Sequence, residues 1–115
     1  MKNFVKIMKA LSDPNRVKII KMLQLRDCMC VCELRAVLKL AQPTVSKHLK
    51  VLEEAGLVTS EKDKLWVNFR LHPDSDSPYI VSMLGHLKNW LDEAPEIKEI
   101  HRLLPTINRN DICNL

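Results

Sequence analysis

The sequence predicts a mostly helical fold with one small β-hairpin (α+β), arranged as a winged helix-turn-helix. Apolar residues recur at helical spacing along most of the chain, which indicates amphipathic helices. After Gly56 the apolar period changes from about 3.6 residues to about 2, which indicates strands. Prolines at positions 14 and 43 mark two helix starts. With 115 residues and no low-complexity linker, residues 1–115 are expected to form a single domain.

The first two helices are predicted from periodicity and from a capping signal. Residues 3–11 have the apolar spacing of a short helix. A second helix is predicted from Pro14 to about Leu25, since a capping residue before proline is a typical helix start. The residues expected to face inward are Val17, Ile19, Ile20 and Leu23.

The third and fourth helices are separated by a short turn. The polar segment 26–32 contains three cysteines and is expected to precede the third helix, which ends near Leu40. The fourth helix is predicted over 42–55, where Val45, Leu49 and Leu52 share one face. Gly56 supplies the left-handed residue that commonly ends a helix.

Residues 57–71 are predicted to form the wing. Its strands are expected at 57–59 and 65–71, joined by the charged connector 61–64. A loop over 72–78 leads to two more helices at about 79–92 and 96–104, with Pro95 between them. Two short helices followed by a charged hairpin are typical of a winged helix-turn-helix.

Composition narrows the class of protein. Residues 1–70 carry 14 Lys and Arg against 7 Asp and Glu, a net +7, whereas residues 71–115 carry 4 against 7, a net −3. The basic region suits an anionic polymer. No apolar stretch approaches the ~20 residues of a membrane span, and no secretory signal is evident, so a cytoplasmic protein without membrane association is expected. The sequence has no phosphate loop, nucleophile elbow or zinc-hydrolase signature, so we do not expect an enzyme.

The fourth helix has residue types that read base pairs. In a helix-turn-helix the second helix enters the major groove with its N-terminal end first. The positions expected to be exposed there are Gln42, Thr44, Ser46, Lys47 and Lys50. Gln can bond to adenine, Ser and Thr adapt to several base edges, and Lys suits guanine or phosphate. The wing adds Lys62, Lys64 and Arg70 for phosphate or minor-groove contact. Double-stranded operator DNA is therefore the expected partner.

Three separated segments resemble the ArsR/SmtB family of metalloregulatory repressors, in that family's order. Residues 40–58 (LAQPTVSKHLKVLEEAGLV) resemble its recognition helix, residues 10–16 (ALSDPNR) the entry to its second helix, and residues 66–71 (WVNFRL) the returning strand of its wing. The resemblance spans roughly residues 4–91. It implies a homodimer built from the terminal helices, and it implies that Gln42, Thr44, Ser46 and Lys47 contact bases. Many relatives have Gly at the wing tip, where this chain has Asp63 and Lys64.

The homodimer needs an apolar surface that the terminal helices leave uncovered. Two-fold symmetry of the protein matches a palindromic pair of DNA half-sites. The expected interface residues are Phe4, Ile7, Met8 and the apolar face of 79–91.

Three of the four cysteines, Cys28, Cys30 and Cys32, lie within five residues of one another. Thiols at alternate positions do not pair easily, and a reducing compartment argues against structural disulfides. Soft thiolates select soft acceptors such as As(III), Cd(II), Pb(II), Cu(I) or Zn(II). Cys32 is also expected near a helix N-terminus between Arg26 and Arg35, where thiolates are favoured. The alternative is a redox switch in which two thiols oxidise.

Residues 30–34 (CVCEL) resemble the motif at the third helix of arsenic-responsive members of the family. The resemblance implies As(III) or Sb(III) as an inducer bound by three thiolates. The family's third thiolate falls on Arg35 here, so Cys28 is the expected substitute and Cys113 a weaker one.

Three alternatives stay open at this point. The first is a repressor of the same fold that responds to Cd, Pb or Zn, or to oxidation. The second is a small thiol oxidoreductase, although the chain lacks a βαβ pattern. The third is a winged helix that binds only proteins. His86 and His101 lie on late helices where some relatives bind zinc, and we interpret both as surface or packing residues.

Overall fold

The computed structural model describes residues 1–112 and has the predicted order of helices around one hairpin. None of the helices in this part of the chain combines the length and the apolar character that crossing a membrane requires. The elements in chain order are α1 (Lys2–Ala10), α2 (Pro14–Leu25), α3 (Val31–Leu38), α4 (Gln42–Glu54), β1 (Val58–Asp63), β2 (Trp66–Leu71), α5 (Pro78–Leu87), α6 (Pro95–Leu103), a 3₁₀ turn (Leu104–Thr106) and α7 (Arg109–Ile112).

Helix α2 is the centre of the core. The Asp13 carboxylate accepts hydrogen bonds from the backbone N–H of Asn15 at 2.8 Å and of Arg16 at 3.3 Å, and so caps the helix. Helix α2 packs against α3, α4, α6 and β2, so more of its circumference is covered than one apolar stripe predicts. Its buried residues are Ile19, Ile20, Lys21, Met22 and Leu23. Val17, expected in the core, is only half-buried.

Helices α3 and α4 form the predicted helix-turn-helix. Helix α3 begins at Val31 with Cys30 as its N-cap, so Cys32 lies in its first turn. It ends at Leu38, where Lys39 takes the left-handed conformation with φ 57°. Helix α4 begins at Gln42 and buries Val45, Leu49 and Leu52, as the sequence predicts.

Gly56 ends the helix-turn-helix with φ +85°, the conformation expected of it. A Cβ at this position would lie 3.0 Å from Ile80 Cδ1 of α5. Glycine therefore serves two purposes here, because it turns the chain and lets α5 pack closely behind α4.

The wing is longer than the sequence predicts. Strands β1 and β2 pair antiparallel from Val58↔Leu71 to Asp63↔Trp66. Residues 61–63, predicted to connect the strands, belong to β1. The predicted four-residue connector is wrong, because residues 64 and 65 alone form the turn between the strands. Lys64 adopts the left-handed conformation there, with φ 57°.

The terminal helices differ from the prediction in two places. Ile7, expected at a dimer interface, is only 2% exposed because it packs into the core of its own protomer. Helix α5 ends at Leu87 instead of near residue 92, and Leu91 takes φ 70°. The 3₁₀ turn and α7 follow α6 and were not expected. Cys113 lies outside the described residues.

A buried lysine explains why α5 ends early. Lys21 is 3% exposed, and its Nζ donates to the backbone carbonyls of Leu87 at 2.6 Å and Trp90 at 2.8 Å. It also donates to the Asp92 carboxylate at 2.8 Å. One ammonium thus satisfies carbonyls at the end of α5 that would otherwise lack donors, and it ties this turn to α2.

We predict that Lys21→Met lowers the free energy of unfolding by about 1–3 kcal/mol, because it leaves these carbonyls without their donor. Urea denaturation at a fixed protein concentration measures the change. The control is Lys98→Met, which alters an exposed ion pair of α6 and should change stability by less than about 0.5 kcal/mol. Equal stability of the parent and Lys21→Met would contradict the prediction.

Candidate nucleic-acid interface and cysteine site

Helix α4 presents one apolar and one polar face. The five α4 residues among those predicted to contact DNA are all exposed: Gln42, Thr44, Ser46, Lys47 and Lys50. Because Val45 and Leu49 are fully buried between them, the helix can be held by the core while its first turns remain open to a groove.

An arginine of α2 fixes the middle of α4. The Arg16 Nε donates to the carbonyl of Ala10 at 2.7 Å, and Nη1 lies 3.3 Å from Nδ1 of His48. Arg16 therefore links the end of α1 to α4. The sequence analysis included Arg16 in a family motif but did not assign it this role.

The wing carries the three predicted cations on its exposed surface. Lys62, Lys64 and Arg70 are all exposed, and Lys64 stands at the turn itself. Arg70 Nη2 lies 4.0 Å from Glu61 Oε2 on the neighbouring strand, so part of its charge is balanced within the hairpin.

The structure brings two of the three clustered cysteines together. The Sγ atoms of Cys30 and Cys32 lie 3.4 Å apart at the start of α3. Cys30 is buried, whereas Cys28 and Cys32 are half-buried. Within residues 1–112, no three His, Cys, Asp or Glu side chains form a group that could hold a metal ion. Cys32 is disulfide-bonded in this structure, contrary to the expectation that the cluster holds reduced thiols. The predicted trio of thiolates therefore requires reduction of Cys32.

Glu33 is the charged centre of this region and is only 4% exposed. Its Oε1 accepts from the backbone N–H of Cys30 at 2.9 Å and from Arg109 Nη2 at 2.9 Å. Its Oε2 accepts from Arg26 Nη1 at 3.1 Å. Burial opposes ionisation of Glu33, but these hydrogen bonds outweigh it, so the pKa of this carboxyl lies below its usual value.

The electrostatics around Cys30 differ from the expectation for the cluster. Burial raises the pKa of the Cys30 thiol, and the side chain of Glu33 adds to that rise. Arg26, expected to favour thiolates, donates to Glu33 instead, and Arg35 is exposed. Cys30 is therefore held as a thiol until an acceptor displaces its proton.

The cysteine segment is joined to the wing by its backbone. Met29 and Phe69 form an antiparallel bridge, with N–O distances of 3.0 and 2.9 Å. Met29 is fully buried and lies between Cys28 and Cys30. A change in the path of residues 28–30 therefore acts directly on β2.

Arg109 of α7 makes a second connection to the wing. In addition to Glu33, its Nη2 donates to Asn68 Oδ1 at 2.7 Å, and its guanidinium lies 4.6 Å from the ring centroid of Trp66. The sequence analysis missed this residue. Arg109 is one of four basic residues in the acidic segment 71–115, and nothing local distinguishes it from the others or identifies its partners.

His86 and His101, the two histidines on the late helices, are in different surroundings. His86 stacks on Trp90 with ring centroids 4.8 Å apart, and His101 is exposed. Both fit the surface or packing roles expected of them.

Comparison with known proteins identifies relatives of the chain. The family model described as "Bacterial regulatory protein, arsR family" matches residues 13–60. An HTH-type transcriptional regulator from Methanocaldococcus jannaschii is 40% identical over 81 residues, covering 70% of this chain and 90% of that protein. The arsenical resistance operon repressor of Escherichia coli K12 is 38% identical over 106 residues, covering 90% of this chain and 86% of that repressor. A cadmium resistance regulatory protein CadC homolog from Staphylococcus aureus is 36% identical over 66 residues, covering 57% of this chain and 54% of that protein.

Solved structures have the same architecture. Reduced HlyU from Vibrio cholerae superposes with a TM-score of 0.65 at 30% identity, covering 78% of this chain and 90% of that one. A homodimeric winged helix-turn-helix DNA-binding domain from Mycobacterium bovis gives a TM-score of 0.66 at 19% identity, covering 82% of each chain. The predicted winged helix-turn-helix is confirmed.

Proposed function

The chain belongs to the arsR family of bacterial regulatory proteins and is a DNA-binding transcriptional repressor, not an enzyme; we propose that As(III) or Sb(III), held by its cysteine cluster, releases it from operator DNA. The observation that carries this proposal is the pair of sulfurs 3.4 Å apart at the start of α3, the helix that packs on α4. The similarity to a protein named arsenical resistance operon repressor, which extends over 106 residues, supports it.

For DNA reading, we propose that the first two turns of α4 specify sequence while the wing adds phosphate contacts. Gln42, Thr44, Ser46 and Lys47 are the base-contacting candidates, because they are exposed beside buried anchors. Lys50, Lys62, Lys64 and Arg70 supply positive charge around them.

We predict that Ser46→Ala and Lys47→Ala each weaken binding to cognate DNA by about 1–3 kcal/mol, through loss of base contacts. Fluorescence anisotropy with DNA from the region upstream of the protein's own coding sequence measures this at fixed salt. Lys98→Ala is the charge-matched control, since Lys98 is an exposed lysine on α6. If both α4 variants bind like the parent, α4 is not the reading element.

We also propose that α1 and α5 form the interface of a homodimer. The rings of Phe4 and Tyr79 meet edge to face at 5.2 Å, yet these side chains remain 40% and 44% exposed. Val5 and Val81 extend the same two helices with 38% and 45% exposure. An apolar surface of this kind needs cover, and a second copy brings a second recognition helix to a palindromic operator.

We expect sedimentation velocity at micromolar concentration to give a dimer for the parent and mainly monomer for Val81→Glu, because the new carboxylate would be buried in the interface. Leu65→Glu is the control. It places the same charge on a 74% exposed residue of the wing turn and should leave the dimer intact. A monomeric parent with undiminished DNA binding would refute the proposed interface.

For inducer capture, we propose that Cys30 and Cys32 bind first and that Cys28 completes the set. Cys32 is disulfide-bonded in this structure, so a thiol reductant must first return it to the thiol by taking up the two-electron oxidation. The three thiols of the reduced protein then condense with arsenous acid to form three As–S bonds, and the three arsenic-bound hydroxyls leave as water. In an extended segment, alternate Cα atoms lie ~6.6 Å apart. Closure by Cys28 must therefore bend the segment before α3 and distort the first turn of that helix. Since α3 supports α4, the distortion misplaces α4 relative to the groove, at a coupling of typically ~1–3 kcal/mol.

We predict that Cys30→Ser and Cys32→Ser, tested in reduced protein, keep DNA binding but lose release by sodium arsenite. Cys28→Ser should weaken release and Cys113→Ser should change it little, because Cys28 is the preferred third ligand. For each variant, the measurement is the fraction of labelled operator DNA that dissociates from the protein when sodium arsenite is added. Full release from the Cys30→Ser/Cys32→Ser double variant would place the sensor elsewhere.

Two alternatives of the same fold are separated by the same assay. The relative named for cadmium resistance gives reason to titrate Cd(II), Pb(II) and Zn(II) beside arsenite. The redox alternative predicts release by a mild oxidant that dithiothreitol reverses, with no ion added.

A further inference from the structure

Arg109 joins three parts of the molecule that are distant in sequence. Its guanidinium contacts Glu33 of α3 and Asn68 of β2, which are 4% and 7% exposed, and it covers the ring of Trp66. It reaches them from α7, 76 residues beyond Glu33. Arg109 thus donates to a buried amide and also to a buried carboxylate that it shares with Arg26 and the Cys30 N–H.

The same two elements are also joined through the backbone bridge between Met29 and Phe69. The cysteine segment therefore meets β2 at two points, one on either side of Cys30. Cys30 is itself bound to Glu33, since its backbone N–H donates to Oε1, the oxygen that Arg109 also contacts. Rearrangement of Cys30 around an ion must break or redirect this shared bond.

We propose that Arg109 is a positioning residue that holds the wing in its DNA-binding position and relays occupancy of the cysteine site to it. The transmission of cysteine-site occupancy to the wing, here called the relay, rests on the proposed function. The positioning of the wing by Arg109, here called the hold on the wing, does not. When Cys30 moves, Glu33 loses its place between Cys30 and Arg109. Arg109 then releases Asn68 and Trp66, and the strand carrying Arg70 shifts. Release from DNA thus has a route through the wing in addition to the route through α4.

The first test needs no inducer and uses Arg109→Gln in the full chain. In the parent, Lys64→Ala should weaken DNA binding, because a positioned wing contributes that charge. In Arg109→Gln the wing is already displaced, so the same substitution should have little further effect. Arg102→Gln is the matched control, because Arg102 is an exposed arginine of α6 paired with Glu99 at 3.0 Å. Additive effects of Arg109→Gln and Lys64→Ala would overturn the hold on the wing.

The second test reads the wing directly with sodium arsenite as the probe. The chain has two tryptophans, so Trp90→Phe leaves Trp66 as the only reporter. Arsenite should change Trp66 emission in this background and in Arg102→Gln, but not in Arg109→Gln. The factor by which arsenite weakens DNA binding should fall about 2- to 30-fold in Arg109→Gln, the range found for residues that couple two sites.

Arg109→Lys keeps the proposal testable if Arg109→Gln does not fold. It preserves the counter-charge for Glu33 but removes the planar group over Trp66, so an intermediate loss of both responses is expected. Responses equal to those of the parent in either folded variant would overturn the relay. A parent that stays on DNA with arsenite would refute the proposed function and the relay with it, whereas the inducer-free test would still decide the hold on the wing.

Discussion

The ion cluster at Glu33 is the contact on which the arrangement of the two candidate sites depends. An isolated carboxylate would not remain ionised in so buried a position, because desolvation penalises its charge. Arg26, seven residues before Glu33, and Arg109, 76 residues after it, provide the opposite charge, and the Cys30 N–H donates to the carboxylate as well. The cluster therefore fixes the start of α3, the wing and the C-terminal turn relative to one another. A cysteine that caps α3 through this carboxylate cannot rearrange without disturbing all three.

Two other cations organise the rest of the fold in a similar way. Lys21 reaches from the central helix to the end of α5, and Arg16 reaches from the same helix to α1 and α4. Each donates mainly to backbone carbonyls at helix ends, which have no hydrogen-bond donor within their own helix. Helix α2 thus contacts α4 on one side and the terminal helices on the other, so α4 and the terminal helices keep fixed relative positions.

The features predicted correctly from sequence are those encoded locally. Asp13 before Pro14, the apolar spacing of Val45, Leu49 and Leu52, and Gly56 each act on residues within a turn or two, so their outcome can be derived from neighbours. The features that were missed depend on partners far along the chain. The early end of α5 depends on Lys21, and the burial of Glu33 depends on Arg109. In both cases the partner is more than 60 residues away in sequence, so the neighbouring residues do not predict it. Within the site, the 3.4 Å approach of the Cys30 and Cys32 sulfurs was not expected from their alternate spacing, and it arises because α3 begins between them. The raised pKa of the Cys30 thiol was not expected either, because it depends on which arginines Glu33 captures.

The long reach of Arg109 also has a consequence for how the chain folds. Contacts within α2, α3 and α4 join residues close in sequence, so the loops that they close are short and form early. The bond between Glu33 and Arg109 closes a loop of 76 residues and can form only after Arg109 has been synthesised. A nascent molecule should therefore form α2, α3 and α4 before Arg109 fixes the position of its wing.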